Sequence, residues 1–113
     1  MTNDCLFCRI AEGRIPARAV ATDDQFFAFH DVDPKAPTHV LVIPRRHIAS
    51  LDAAQDGALL GALLLFVRRV ARDLGVADAG YRTVINTHGD GGQSVDHLHA
   101  HVLGGRRMTW PPG

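Results

Sequence analysis

The sequence has few of the features that mark secreted, membrane-spanning or nucleic-acid-binding proteins. Two cysteines among 113 residues are too few for the disulfide framework of a small secreted domain. Twelve basic residues balance twelve acidic ones, so no excess of positive charge favours nucleic acid. The longest apolar stretch, 58–67, is too short to span a bilayer, and no basic and apolar leader precedes Cys5. These absences predict a cytoplasmic protein that binds neither nucleic acid nor a membrane.

The composition is that of an ordinary globular domain. Hydrophobic residues make up 46% of the chain and charged residues 21%, which suffices for one core, so we expect a single domain over 1–113. Short apolar segments are separated by glycine, proline and aspartate residues, which are typical of turns. The pattern predicts a short helix over 4–12, a long helix over 56–74, and strands over 17–22, 26–30, 39–43, 81–86 and 97–103. Several strands with one long helix inserted indicate an α+β fold.

The long helix carries more apolar surface than one face requires. Every residue over 58–67 is apolar except Gly61, which is wider than a single core-facing stripe. A small domain rarely surrounds a helix completely, so this pattern favours self-association through the helix. The alternative is a helix buried inside its own domain.

Three histidines alternate with apolar residues near the end of the chain, at positions 97, 99 and 101. In a strand, Leu98, Ala100 and Val102 would pack inward, and the three imidazoles would share the outer face. Such a row is typical of phosphate or metal chemistry. The outer two Cα atoms are about 13 Å apart at roughly 3.3 Å per residue. A single ion could not readily bind all three imidazoles, so we expect them to have different functions.

A glycine-rich segment over 89–94 precedes the histidines, and we expect it to be a loop. Its glycines allow backbone N–H groups to approach an anion, and Gln93 and Ser94 add side-chain donors. It is not a P-loop, because no Gly-Lys-Ser/Thr follows. Beside three histidines the segment is interpreted as a phosphate-binding loop; the alternative is an ordinary turn.

Cys5 and Cys8 form a C-x-x-C motif. A disulfide across so short a loop would restrict the unfolded chain little, and in a cytosolic protein the motif more often binds metal or acts in redox chemistry. A thioredoxin-like motif needs a preceding strand, and only four residues precede Cys5. Zinc is therefore favoured, with two further ligands drawn from the histidines. The alternative is a pair of free thiols.

The motifs together resemble a known family. The H-x-H-x-H row followed by apolar residues is the signature of the histidine triad (HIT) superfamily, and further segments resemble its HINT branch of purine nucleoside phosphoramidases. The resemblance implies a HIT-like fold, an antiparallel sheet of about five strands with one long and one short N-terminal helix, in a homodimer. The matching segments are 29–31, 36–39, 43–48, 91–95, 103–106 and 108–113.

The resemblance also implies an activity and its catalytic residues. The enzyme would cleave the P–N bond of a nucleoside 5′-phosphoramidate, releasing a nucleoside monophosphate and an amine. His99 would attack the α-phosphorus and form a nucleotidyl-histidine that water hydrolyses. His101 would contact the phosphate, His39 would join the proton network, and Ser94 would bond the leaving amine.

Binding residues and metal ligands follow from the same resemblance. Gly92, Gln93 and Asn86 would hold phosphate oxygens, and Asp31 would accept the ribose hydroxyls. Trp110 would reach toward the partner's site. The purine slot would consist of Leu6, Phe7, Ile10, Phe29 and Val32, with His30 beside the sugar. Structural zinc, with no organic cofactor, would be bound by Cys5, Cys8, His47 and His97.

Several alternatives stay open at this point. Phe7, Ile10 and Phe29 could be ordinary core residues, Asp31 could begin a turn, and Asn86 could cap a strand. Two other functions also fit a histidine triad: a dinucleoside polyphosphate hydrolase or nucleotidyl transferase, and a nucleotide-binding scaffold whose catalysis is incidental. The physiological amine and the choice between adenine and guanine cannot be derived from these motifs.

Overall fold

A computed structural model describes residues 4–113; residues 1–3 of the expected domain lie outside the described residues. The chain forms three helices and five strands within that range. In chain order they are α1 (Leu6–Ala11), β1 (Ala19–Thr22), β2 (Phe26–His30), β3 (Thr38–Pro44), α2 (Gly57–Asp73), β4 (Tyr81–Val84), α3 (His88–Gly91) and β5 (Ala100–Gly104). The predicted α+β class is confirmed.

The five strands make one antiparallel sheet in the order β1-β2-β3-β5-β4. Strand β3 is central: Leu41 pairs with Phe29 of β2 and with His101 of β5. Because successive side chains in a strand point to opposite faces, each strand contributes to both faces of the sheet. The five-stranded antiparallel sheet of a HIT-like fold is therefore also confirmed.

The two faces of the sheet are covered by different helices. Even-numbered positions of β3 and β5 pack with α2 in the larger core, which includes Leu98, Ala100 and Val102 as the alternation predicts. On the other face, α1 contributes Phe7 and Ile10 to a smaller apolar cluster. That cluster is completed by Phe29, Leu41 and Ile43. The histidines lie beside this smaller cluster: the ring centroids of Phe7 and His99 are 5.0 Å apart.

Helix α2 has clear boundary residues. The Asp56 carboxylate accepts the Leu59 N–H at 3.1 Å, which is a standard N-terminal cap, and Gly75 follows the helix with φ +77°. Leu63 is buried against the sheet, whereas Leu64 and Leu65 are 54% and 66% exposed. The helix thus presents an apolar outer surface in the monomer. Within residues 4–113, no helix is long and apolar enough to cross a membrane.

Two local predictions were wrong. Strand β5 begins at Ala100 rather than residue 97, because the Leu98 N–H donates to the Ile48 carbonyl and the His97 N–H to the Val95 carbonyl. Segment 89–94 is not all loop, since α3 occupies its first residues and ends at Gly92 in the left-handed conformation. The histidine row therefore bends into the sheet from a tight turn instead of running along a strand.

Candidate active site and metal-binding group

A cavity of about 400 Å³ opens between α1 and the sheet face that carries the histidines. One side of the cavity is apolar, and the other presents imidazoles, a carboxylate and a hydroxyl. Its lining brings together many of the residues assigned from the sequence. It consists of Leu6, Phe7, Ile10, Ile15, Pro16, Phe29, Asp31, Val32, Leu41, Ser94, Val95, His99 and His101.

His99 has its ring orientation set by the backbone. Its Nδ1 lies 2.7 Å from the His97 carbonyl oxygen, which can only accept, so Nδ1 carries the proton. In the neutral ring, Nε2 is then unprotonated and available as a nucleophile or ligand. The side chain is 3% exposed, so the outer face that the alternation predicts for the imidazoles is not exposed at His99. Helix α1 covers that face.

A hydrogen-bonded pair of imidazoles stands beside His99. The Lys35 N–H donates to Nδ1 of His39 at 3.0 Å, which places the His39 proton on Nε2. That Nε2 lies 2.9 Å from Nδ1 of His101, so His101 accepts there and, when neutral, carries its own proton on Nε2. The backbone at Lys35 thus sets the tautomer of a residue lining the cavity.

Asp31 completes this chain. One of its oxygens lies 3.4 Å from Nε2 of His39, and the other accepts the Asp33 N–H at 2.8 Å. The donor atoms of Asp31, His39 and His101 are close enough together to be considered as a metal site. However, the His39 proton already lies between the two imidazoles, which favours a proton network over a metal site.

Burial keeps these imidazoles neutral. The pKa of His101 is lowered to about 4, chiefly by desolvation and also by His99 and His39. Desolvation also lowers the pKa of His39, partly opposed by the Asp31 carboxylate, which raises it. At neutral pH the site therefore offers uncharged imidazole donors and acceptors instead of fixed positive charge.

We expect the His101 ring to stay neutral well below the pH at which an ordinary histidine titrates. Its pKa falls from 6.5 to about 4 on folding, so between those values the unfolded chain binds more protons. Stability contributed by this group is complete above pH 6.5 and is lost as the pH falls toward 4. In an NMR titration, the ring proton shifts of His101 should stay flat from about pH 8 to pH 5.5. A His101 midpoint near the ordinary value of 6.5 would contradict the burial argument.

The apolar side of the cavity is built on α1. Phe7 is buried and makes edge-to-face contacts with His99 and Phe29, at ring-centroid distances of 5.0 and 5.6 Å. Val32 is fully exposed at the mouth of the cavity. His30 does not line this cavity; it borders an adjoining one of about 340 Å³ that shares Asp31 with it.

Four donors assigned to a metal converge at the start of α1. The Cys5, Cys8, His47 and His97 ligand atoms all lie within 4.8 Å of one another. The measured S–N separations are 3.2 Å for Cys5–His97, 3.4 Å for Cys8–His47 and 3.5 Å for Cys8–His97, and the two Nδ1 atoms are 3.3 Å apart. A tetrahedral zinc ion requires roughly 3.5 Å between S and N ligands and roughly 3.3 Å between two N ligands. The donor set therefore fits zinc.

The protonation of His97 also suits a metal ligand. Its Nε2 lies 2.8 Å from the Pro44 carbonyl oxygen, so Nε2 carries the proton and Nδ1 presents a lone pair to the sulfur atoms. A ligating histidine commonly donates its second ring proton to a carbonyl in this way. Desolvation lowers the pKa of fully buried His97, which keeps the ring neutral and able to bind metal.

Some assigned residues lie elsewhere. The Gln93 side chain is occupied by protein: it donates to the Ala49 and Val95 carbonyls at 2.7 and 3.0 Å and accepts the His88 N–H at 3.0 Å. These contacts do not support the prediction that it holds phosphate; Gln93 instead fixes the turn that carries Ser94. The cavity lining does not include Gly92, Asn86 or Trp110. Trp110 is 81% exposed, with the Arg82 guanidinium over its ring.

Sequence reasoning missed four residues that line the cavity: Ile15, Pro16, Leu41 and Val95. Leu41 could have been found, because it lies two residues after His39 on the same face of a predicted strand. Ile15 and Pro16 lie in the turn after α1, where no periodic pattern indicates the direction of a side chain.

Comparison with known proteins gives consistent results. The HIT domain family model matches residues 12–108. An uncharacterized HIT-like protein of Synechococcus elongatus is 52% identical over the full length of both chains. Among solved structures, a HIT family hydrolase from Legionella pneumophila is 48% identical, with a TM-score of 0.95 over 97% of this chain and 100% of that one. A histidine triad nucleotide-binding protein from Candida albicans is 30% identical, with a TM-score of 0.82 over 96% of this chain and 83% of that one.

These matches cover the sheet, α2 and the histidine row together. The structural likeness agrees with the α+β fold and its five-stranded antiparallel sheet. The chain belongs to the HIT domain family.

Proposed function

We propose that the protein is a nucleotide-binding hydrolase of the HINT type, which cleaves the P–N bond of purine nucleoside 5′-phosphoramidates. The observation that carries the proposal is the bond from the His99 Nδ1–H to the His97 carbonyl. It leaves Nε2 unprotonated on a ring that lines the cavity. A neutral imidazole held in this tautomer is suited to attack phosphorus.

The cavity supports a nucleotide as the bound half of the substrate. Its apolar side, built from Leu6, Phe7 and Ile10, suits a flat nucleobase, and a few polar groups remain to orient the rest. The Asp31 carboxylate also lines the cavity, with one oxygen 3.4 Å from His39 Nε2, and ribose hydroxyls can donate to it. The relative from Candida albicans named as a nucleotide-binding protein supports this assignment by analogy.

The reaction then proceeds in two steps. In the first, His99 Nε2 forms a bond to the α-phosphorus, the P–N bond to the amine breaks, and the leaving nitrogen takes one proton. The His101 Nε2–H and the Ser94 hydroxyl are the donors that line this part of the cavity. In the second, water oxygen adds to phosphorus, the Nε2–P bond breaks, and a water proton replaces the one given up. Nucleoside monophosphate and His99 are released.

The test compares two substrates and locates the intermediate. An adenosine 5′-phosphoramidate should turn over much faster than a diadenosine polyphosphate, and rapid quenching without acid should trap a nucleotidyl adduct that mass mapping places on His99. Preferential cleavage of the polyphosphate would instead support the related hydrolase or transferase. Tight AMP binding without turnover of either substrate would support a binding module.

We also propose that the four-donor group binds structural zinc. The proposal is supported by the tetrahedral separations of the donors and by the lone pair that His97 presents. Bound zinc would tie the start of α1 to the sheet without taking part in the chemistry. Reduced thiols are required for this, which agrees with the proposed cytoplasmic location.

A homodimer through α2 is the proposed assembly, because Leu64 and Leu65 leave apolar surface exposed in the monomer. Replacing Leu65 with glutamate should weaken the dimer at least roughly 100-fold, since each interface would bury two unpaired carboxylates. Sedimentation velocity across a concentration series measures the change. Gln55→Glu adds the same charge at an exposed position before the helix and should leave assembly unchanged. A wild-type protein that sediments as a monomer would contradict the proposal.

A further inference from the structure

The candidate metal group and the candidate ligand cavity share one short helix. Cys5 is the N-cap of α1, and its sulfur accepts the Cys8 N–H at 3.4 Å. Both sulfurs also lie within 3.5 Å of Nδ1 of His97. The start of α1 is therefore joined, through these four donors, to the segment that leads into β5.

The same helix forms the apolar wall of the cavity. Leu6, Phe7 and Ile10 all belong to α1 and all line the cavity. Phe7 contacts the rings of both His97 and His99, at centroid distances of 6.0 and 5.0 Å. A helix of six residues is far too short to hold its conformation alone. Its position is thus set by contacts with the rest of the fold: the donor group at its start, and the smaller apolar cluster in which Phe7 and Ile10 are buried.

We propose that the Cys5–Cys8–His47–His97 group controls nucleotide binding by positioning α1, and that thiol oxidation switches this control off. The proposal rests on the proposed function for the identity of the ligand. The four residues are positioning residues: they act on the ligand through Leu6 and Phe7, without touching it. When the group holds a metal ion, the wall is fixed against His99; without the ion, the start of α1 is released and the cavity loses its shape.

The proposal predicts a thermodynamic coupling, which can be measured as the effect of the metal on AMP affinity and as the effect of AMP on metal affinity. If the metal favours the arrangement of α1 that binds AMP, then AMP must favour metal binding by the same factor. A coupling through one short helix should be about ten-fold, within the usual range of roughly 5- to 150-fold. A metal ion that only stabilises the folded core would leave AMP affinity unchanged in folded protein.

Oxidation by a hydroperoxide supplies the switch. The two cysteine thiolates give up one electron each and form one S–S bond. Hydrogen peroxide accepts the two electrons and, with two protons, yields two water molecules. The Cys5 side chain is partly exposed and lines a third cavity, of about 500 Å³, so the oxidant can reach it. The disulfide leaves only the two imidazoles as donors, too few to retain the ion.

The experiment measures AMP affinity and backbone exchange in the full-length protein. Calorimetry should give an AMP dissociation constant about ten-fold lower for zinc-loaded than for metal-free protein. A chromophoric chelator should show the same factor for zinc with and without AMP. Hydrogen exchange should rise over residues 4–12 in the metal-free form but not in β3 or β5, which shows that the fold persists. Peroxide should release zinc, remove two hydrogen atoms from the mass and reproduce the metal-free AMP affinity.

Variants distinguish the proposed control of AMP binding by the metal group from a general effect of the metal on folding. His47 is exposed, so His47→Ala removes a donor without disturbing the core and should behave like metal-free protein. His47→Cys restores a fourth donor and should restore AMP affinity and its linkage to zinc. Arg46→Ala is the matched control at the neighbouring exposed position. If zinc-loaded and metal-free proteins bind AMP equally, this proposal fails while the proposed function stands. If zinc-loaded protein does not bind AMP, both fail.

Discussion

Replacing His99 with alanine is expected to lower kcat for an adenosine 5′-phosphoramidate by at least about 1,000-fold, because the variant has no nucleophile to form the intermediate. The affinity for AMP should change far less, since Phe7 and Asp31 remain to bind the base and the ribose. Steady-state turnover and calorimetry on the same preparation measure the two quantities. The nucleotidyl adduct should also be absent after rapid quenching.

A second histidine provides the control for this result. His88 is exposed on α3 with φ +59°, so His88→Asn keeps a residue type that tolerates the left-handed conformation. Its turnover should match the wild type. Phosphoramidate turnover in His99→Ala within ten-fold of the wild type would rule out the covalent mechanism. Loss of AMP binding in the same variant would indicate a disturbed cavity.

Metal removal should have the largest effect on stability. A ligand present at roughly 1,000 times its dissociation constant contributes about 4 kcal/mol to folding. For a domain of this size, its loss should lower Tm by about 10–20 °C. Stoichiometric zinc in protein purified without chelators, followed by thermal unfolding before and after chelation, measures this effect.

Substitution of a single ligand sharpens that test. Cys8→Ala should lower Tm as chelation does, and the chelator should then have no further effect. Restoring zinc to chelated wild-type protein should restore its Tm. Protein purified without zinc, with a Tm that does not respond to added zinc or to chelator, would show that the four donors hold no metal and would remove the zinc proposal.

The sequence was most informative where periodicity decides structure. Alternation from Leu98 to Val102 correctly separated core side chains from histidines, because a strand has only two faces. The capping aspartate and the following glycine placed the long helix to within one residue at each end. These features depend on residues that are close together in the sequence, so they can be recognised without knowledge of distant contacts.

Periodicity failed where contacts distant in sequence decide the structure. Nothing near His97 shows that the next N–H, that of Leu98, bonds to the Ile48 carbonyl and thereby delays the start of β5. The same holds for Gln93, whose donors suggested phosphate until the structure placed the Ala49 carbonyl within reach. The burial of His99 likewise depends on α1 folding over it.

Some residues of the candidate site were predicted and others were missed, because the direction of a side chain outside a motif depends on contacts distant in sequence. Residues in motifs, such as His39 and Asp31, were assigned through the resemblance, and the structure brings them within 3.4 Å of each other. Ile15 and Pro16 belong to no motif, and the direction of a turn side chain depends on the whole fold. The protonation of His101 could not be derived from sequence either, because it starts from a backbone N–H at Lys35.

The alternation along β3 and β5 has a consequence for how such a protein can diversify. Neighbouring positions in β3 face different surroundings: Val40 and Val42 pack in the larger core, whereas Leu41 lines the cavity and His39 contacts the cavity-lining His101. A substitution on the cavity side leaves the packing beneath α2 in place, so its cost to folding is confined to the smaller apolar cluster on its own face. A destabilising substitution on the α2 side can be compensated by a second substitution on that side, without changing the residues of the cavity. One sheet thereby provides two nearly independent surfaces for selection.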